Sequence, residues 1–151
     1  MRRLRAMKTI ATAAVITLTI LYWNSFPASA ETSDPCANKG SNAEERECYS
    51  REQARVSLEA DSLANQIAAT FRKDAQDPAW RGVVADMLRK TASAVTQSQK
   101  TWKAYRDQHC RAVEYSWTTG SAAGTAYESC MFELGQARLR ELRSSFDSSL
   151  H

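Results

Sequence analysis

His109 and Cys110 stand side by side, and a thiol next to an imidazole is the pairing in this chain best suited to nucleophilic chemistry. That chemistry requires a free thiol. A disulfide-bonded Cys110 is no nucleophile and leaves His109 an ordinary polar residue. Two carboxylate pairs, Glu44/Glu47 and Asp107/Glu114, have the types needed for general acid–base work. Nothing accompanies them to hold a substrate: there is no Gly-x-Ser-x-Gly turn, no phosphate-cradling glycine loop and no His-Glu-x-x-His. The pairs read as solvated helix faces, and the chain reads as a protein that acts by binding, without cofactor, rather than as an enzyme.

The cysteines decide between metal and disulfide. Cys36, Cys48, Cys110 and Cys130 are separated by 12, 62 and 20 residues, with only His109 and His151 as further soft ligands. Metal knuckles need close Cys-x-x-Cys pairs, so no metal site is expected. The N-terminus supplies the compartment. Arg2, Arg3, Arg5 and Lys8 precede an uncharged run from Thr9 to Trp23, and a small-residue stretch ends in Ala28-Ser29-Ala30. That is the layout of a secretory signal peptide, residues 1–30, cleaved after Ala30. The run is shorter than the roughly 20 apolar residues of a spanning helix, so no membrane span is expected after cleavage. In an exported chain four cysteines read as two disulfides. Three pairings are possible; local geometry favours Cys36–Cys48 and Cys110–Cys130.

The chain holds 20 Lys+Arg and 17 Asp+Glu. Four of the basic residues and none of the acids precede Glu31, which leaves 16 against 17, a net of −1, for residues 31–151. The apparent basicity belongs to the signal. Nucleic acid is therefore not an expected partner, because phosphate binding needs a surplus of Lys and Arg on one surface. The remaining 121 residues suffice for one domain with a single modest core.

The elements that must position these side chains are helical throughout. Glu31 to Gly40 is an irregular arm. Ser41-Asn42-Ala43-Glu44 then offers a capping box, the Ser41 hydroxyl and the Glu44 carboxylate each answering an orphan backbone N–H. Apolar residues at Cys48, Tyr49, Val56, Ala60, Leu63, Ile67 and Phe71 continue it as a helix from about Asn42 to Lys73. Asp77-Pro78 is a second start signal. Trp80, Val84, Met87, Thr91, Ala94, Ser98, Trp102 and Tyr105 make a near-heptad stripe, predicting one helix from Ala79 to Trp117, or two if it breaks between Thr91 and Ser98. Thr118 to Gly124 has two glycines and no periodicity, and reads as a loop. A third helix is expected from Thr125 to Phe146, with Tyr127, Cys130, Leu134 and Leu142 facing inward. Arg138, Arg140 and Arg143 would complement its dipole, and Ser148 to His151 would fray. The fold class is all-α: a disulfide-stapled bundle of three long helices, or four.

Within the second helix, Gln99, Trp102, Arg106, Asp107 and Cys110 form a Gln-x-x-Trp-x-x-x-Arg-Asp-x-x-Cys pattern, with Tyr105 three residues after the tryptophan. With Cys36 and Cys48 upstream and Cys130 downstream, this pattern resembles the LprI-like lysozyme-inhibitor family of exported bacterial proteins, over roughly Cys36 to Leu142. The resemblance implies a periplasmic or secreted protein whose partner is a lysozyme-type muramidase, inhibited by occlusion of its active-site cleft. Some relatives are lipoproteins, but Cys36 lacks the small apolar box that lipid attachment needs. The residues themselves place Trp102 and Tyr105 as core anchors continuing the stripe from Trp80. Arg106 either pairs with Asp107 or a carboxylate of a neighbouring helix, or projects with His109 near the open end of the bundle. The Thr118–Gly124 loop, braced by Cys110–Cys130, is the candidate contact, because a braced loop loses less entropy on binding. Thr118, Thr119, Ser121, Arg106 and His109 would supply hydrogen-bond donors there, with Trp117 as an aromatic anchor or a lid on the bundle. The competing expectation is a periplasmic interaction module of the cell envelope with no inhibitory activity.

Overall fold

The computed structural model describes residues 34–37, 39–118 and 120–147. From Pro35 onward these form one compact unit. Among the described residues there are three helices and no strand: α1, Asn42–Asp74; α2, Val83–Ser116; and α3, Ala123–Phe146. No described helix is long and apolar enough to cross a membrane. The expected signal peptide and the fraying C-terminal residues lie outside the described residues.

Short connections fold α2 antiparallel to both neighbours, while α1 and α3 run parallel. Asp61 of α1 meets Gln99 of α2, and Ser57 meets Arg106. Helix α1 starts where the capping box puts it. The Ser41 hydroxyl accepts from the Glu44 N–H at 3.3 Å. The Glu44 carboxylate, however, accepts from that same hydroxyl at 2.9 Å, not from the Ser41 N–H. Both disulfides join the pairs that local geometry favours. Cys36–Cys48 ties the arm to the second turn of α1, and Cys110–Cys130 joins α2 to α3.

The core lies mainly between α1 and α3. One cluster gathers Tyr49, Val56, Ala60, Phe132 and Leu139 around Cys36–Cys48. A second joins Ala64, Ile67 and Ala68 to Ala92 and Val95 of α2 and Leu142 of α3. Fully burying a side chain such as Ile67 or Leu142 contributes about 1.5–3 kcal/mol. Gly135 makes the close approach possible, since a Cβ there would lie 2.8 Å from Val56 Cγ1.

Helix α2 departs from expectation in two ways. Asp77-Pro78 does start a turn, with Asp77 Oδ1 accepting from the Ala79 N–H at 2.8 Å. Gly82 then takes φ 61°, in the left-handed region open to glycine, and the helix begins only at Val83. Trp80 is left outside it and half exposed. The second departure concerns the facing. The stripe of Val84, Met87, Ala94, Ser98 and Tyr105 looks outward, and Tyr105 is 54% exposed rather than a core anchor. The inward face is Ala85, Ala92, Val95, Gln99, Arg106 and Cys110. No break occurs between Thr91 and Ser98. The hydroxyls of Thr91, Thr96 and Ser98 donate to the carbonyls of Met87, Ala92 and Val95 and stay within the helix.

Candidate functional site

Gln99 and Arg106 of the Gln-x-x-Trp-x-x-x-Arg-Asp pattern lie inside the bundle, with Trp102 at its edge and Asp107 exposed, and around them a polar ladder spans all three helices. Gln99 donates from Nε2 to Asp61 Oδ1 at 3.0 Å and accepts from Arg138 Nε at 2.9 Å. Arg138 Nη2 donates to the Ser98 hydroxyl at 2.9 Å and Nη1 to Glu141 at 2.8 Å. Arg106 donates to the Ser57 hydroxyl at 2.7 Å and, through Nε and Nη2, to Asp107 at 3.0 and 2.8 Å. Both guanidinium groups lie against Trp102, with Cζ 5.0 Å from the ring centroid for Arg106 and 5.9 Å for Arg138. Burial pushes the Asp61 carboxyl up. The hydrogen bonds from Lys103 and Gln99 and the charges of Lys103 and Arg106 together outweigh it and hold the group below the usual carboxylate range. Every polar group of this ladder has a partner, so it is built to hold helices in register.

The open surface lies at the end of the bundle where α2 turns into α3. The connection is shorter than the sequence suggests. Ala123 and Gly124 already belong to α3, which leaves residues 117–122. Trp117 caps α2 and is 52% exposed. Thr118 follows at φ 55°, a left-handed backbone that costs a β-branched residue about 1–2 kcal/mol. Such strain concentrates at functional positions. The connection is tied to the start of α1: Asn42 Nδ2 donates to the Ser121 hydroxyl at 3.4 Å, and the Thr125 hydroxyl donates to the Asn42 carbonyl at 3.0 Å. Cys110–Cys130 braces it from below.

A groove of about 680 Å³ opens beside this tie, lined in part by Ser41, Asn42, Arg46, Ser50, Ser121 and Glu128. Gly124 is where it is because Arg46 lies against it; a Cβ there would sit 2.9 Å from the Arg46 Cζ. Glu128 Oε2 is buried without a hydrogen-bond partner among the described residues. Burial raises its pKa, the charge of Arg46 opposes that, and the charge of Glu114 adds to it; the net effect is a carboxyl above its ordinary range. The groove therefore offers one guanidinium, one reluctant carboxylate and several hydroxyls, with no group placed to make or break a bond.

The residues named from sequence fall in three places. Trp117, Thr118 and Ser121 share the bundle end, while Thr119 lies outside the described residues. His109 is on the outer face of α2, about two turns back, its ring stacked on Tyr105 at 5.5 Å between centroids. Arg106 is 5% exposed and fully engaged inside. Sequence reasoning overlooked Arg46, Glu128 and Arg138. Arg138 carried a signal, because it stands in three- and four-residue steps between Gly135 and Leu142 on the core face of α3.

A family model described as "Lysozyme inhibitor LprI" matches residues 36–142, a span containing both disulfides, the polar ladder and the α2–α3 connection. No curated protein and no solved structure matches.

Proposed function

The chain belongs to the LprI lysozyme-inhibitor family, and from that premise we propose that it binds lysozyme-type muramidases and blocks their active-site cleft with its braced bundle end. The family match across residues 36–142 carries the reading. The geometry supports the choice of surface. The connection is held at both sides, by the Asn42 contacts and by Cys110–Cys130, so little entropy is lost when it docks. Trp117 supplies an exposed aromatic of the type that anchors interfaces. Thr118, Ser121 and Arg46 supply donors toward a cleft whose work depends on carboxylates. Arg106 takes no part, since its donors are engaged within the bundle. The protein acts by occlusion and performs no chemistry of its own, and two disulfides suit a periplasmic or secreted site of action.

Wall lysis followed by turbidity, with and without the purified disulfide-bonded protein, tests this. The intact protein slows lysis. A Trp117→Ala, Thr118→Gly double variant loses inhibition by at least tenfold without a lower melting temperature, because glycine relieves the backbone at position 118. Full inhibition by that variant moves the contact away from the bundle end. No inhibition by the intact protein, against several muramidases, leaves an envelope interaction module.

A further inference from the structure

We infer that the groove between the end of α1 and the first half of α2 is a phosphate-monoester site, which takes a phosphorylated sugar between Arg72 and Arg89. It lies at the far end of α1 from Ser41, about 45 Å along the helix. The inference therefore does not depend on muramidase binding at the bundle end.

The groove, of about 520 Å³, is lined in part by Arg72 and Gln76 on one side and by Arg89, Ser93 and Gln97 of α2 on the other. Its floor is Ala75 and Ala92, both buried, and their short side chains leave depth that larger ones would fill. The antiparallel pairing of Asp61 with Gln99 and of Ser57 with Arg106, carried along α1 residue by residue, sets Arg72 level with residues 88–91. Arg89 stands there, so two guanidinium groups border the groove at one height. Among the described residues no aspartate or glutamate lines it.

Elsewhere on the exterior, Arg51, Arg55, Arg111 and Arg143 are each paired with a glutamate. The Arg72 guanidinium has no such partner among the described residues. Arg89 reaches Asp86 only at 3.8 Å, beyond hydrogen-bonding distance, while Lys90 holds that carboxylate at 2.7 Å. The negative end of the α1 dipole attracts both Arg72 and Lys73, but only Arg72 turns into the groove. Two like charges so placed repel, and an anion between them replaces the repulsion with charge-assisted hydrogen bonds. A carboxylate would balance one guanidinium. A phosphate monoester, at about −1.5 to −2 near pH 7, balances both. Its third oxygen has a donor in the Ser93 hydroxyl, which, unlike those of Thr91, Thr96 and Ser98, makes no bond among the described residues. Gln76 and Gln97 add amides that suit the hydroxyls of a sugar.

Calorimetric titration of the disulfide-bonded protein with glucose 6-phosphate, in about 150 mM salt to screen diffuse surface charge, reads the site. The expected Kd is about 0.1–1 mM, with no heat from glucose. Arg72→Gln with Arg89→Gln should weaken binding at least tenfold with unchanged helicity and melting temperature, and Ser93→Ala about threefold. Arg51→Gln, on the outer face of α1, should leave it unchanged. Phosphatidylcholine vesicles with and without phosphatidic acid then separate the sources of the phosphate. Retention on phosphatidic acid vesicles that glucose 6-phosphate displaces assigns a lipid headgroup, and no retention assigns a free sugar phosphate. The proposal is overturned by no binding at about 10 mM probe, by equal affinity for glucose, or by a double variant that binds no worse than Arg51→Gln. Vesicle retention that the double variant keeps overturns it too, as an effect of the basic surface at large.

Discussion

Arg138 and Gln99 provide the strictest test of how the family pattern works, because the energetic penalty lies in what each leaves behind. Arg138→Met removes hydrogen bonds from a buried guanidinium to Gln99 and Ser98, about 1.5–3 kcal/mol for a charged donor. It also strands Gln99 Oε1 in the interior, at about 1–3 kcal/mol. The methionine refills much of the space beside Trp102, and Glu141, 59% exposed, returns to water at little cost. The net expectation is about 3–4 kcal/mol of lost stability. Gln99→Leu strands Arg138 Nε, a charged donor, while Asp61 keeps Lys103 at 2.7 Å. Its cost is about 3 kcal/mol. In the double variant neither group is stranded, and apolar side chains replace the pair. Loss should then be only about 1–3 kcal/mol, which makes the coupling about 3 kcal/mol or more. Urea unfolding of the four proteins, followed by circular dichroism at pH 7, measures the cycle. Single variants each within 1 kcal/mol of the parent, or effects additive to about 0.5 kcal/mol, would refute the claim that the ladder is a buried, mutually satisfied unit.

Two further outcomes follow from the same geometry. Trp102→Ala should lower stability by about 2–3 kcal/mol, less than a fully buried tryptophan, because the ring is partly covered by two guanidinium groups rather than enclosed in the apolar core; thermal melting checks it, and a loss above about 5 kcal/mol would place the ring in the core after all. Glu128→Gln should raise the melting temperature at pH 7. A carboxyl whose folded pKa is raised favours the fold when protonated, below its unfolded pKa, and that contribution is lost as pH rises through the folded value. The gain should therefore shrink toward pH 4, and a pH-independent gain would assign it to packing instead.

Helix α2 shows where a sequence stops informing. Its continuity to Ser116, and the presence of three helices joined by short connections, follow from periodicity and from the absence of proline between Ala79 and Trp117. Its start at Val83 does not, because Gly82 in the left-handed region delays it. Its orientation does not follow, because the rule that apolar residues face inward presumes an apolar interior. Here the inward face carries Gln99, Arg106 and small alanines, while valine, methionine and tyrosine face water. A hydrophobic stripe therefore points to the wrong side, displaced by about one residue from the true one. The family pattern mixes the two faces. Gln99, Arg106 and Cys110 point in, Trp102 lies at the edge, and Asp107 anchors Arg106 from the exposed side. Pairing of the cysteines was legible because short loops close most easily. The groove at the bundle end was not, since it depends on Arg46 of α1 lying against Gly124 of α3, residues separated by most of the bundle. Only folding reveals such a meeting, and the same folding makes a glycine that looked like loop flexibility into space for a guanidinium.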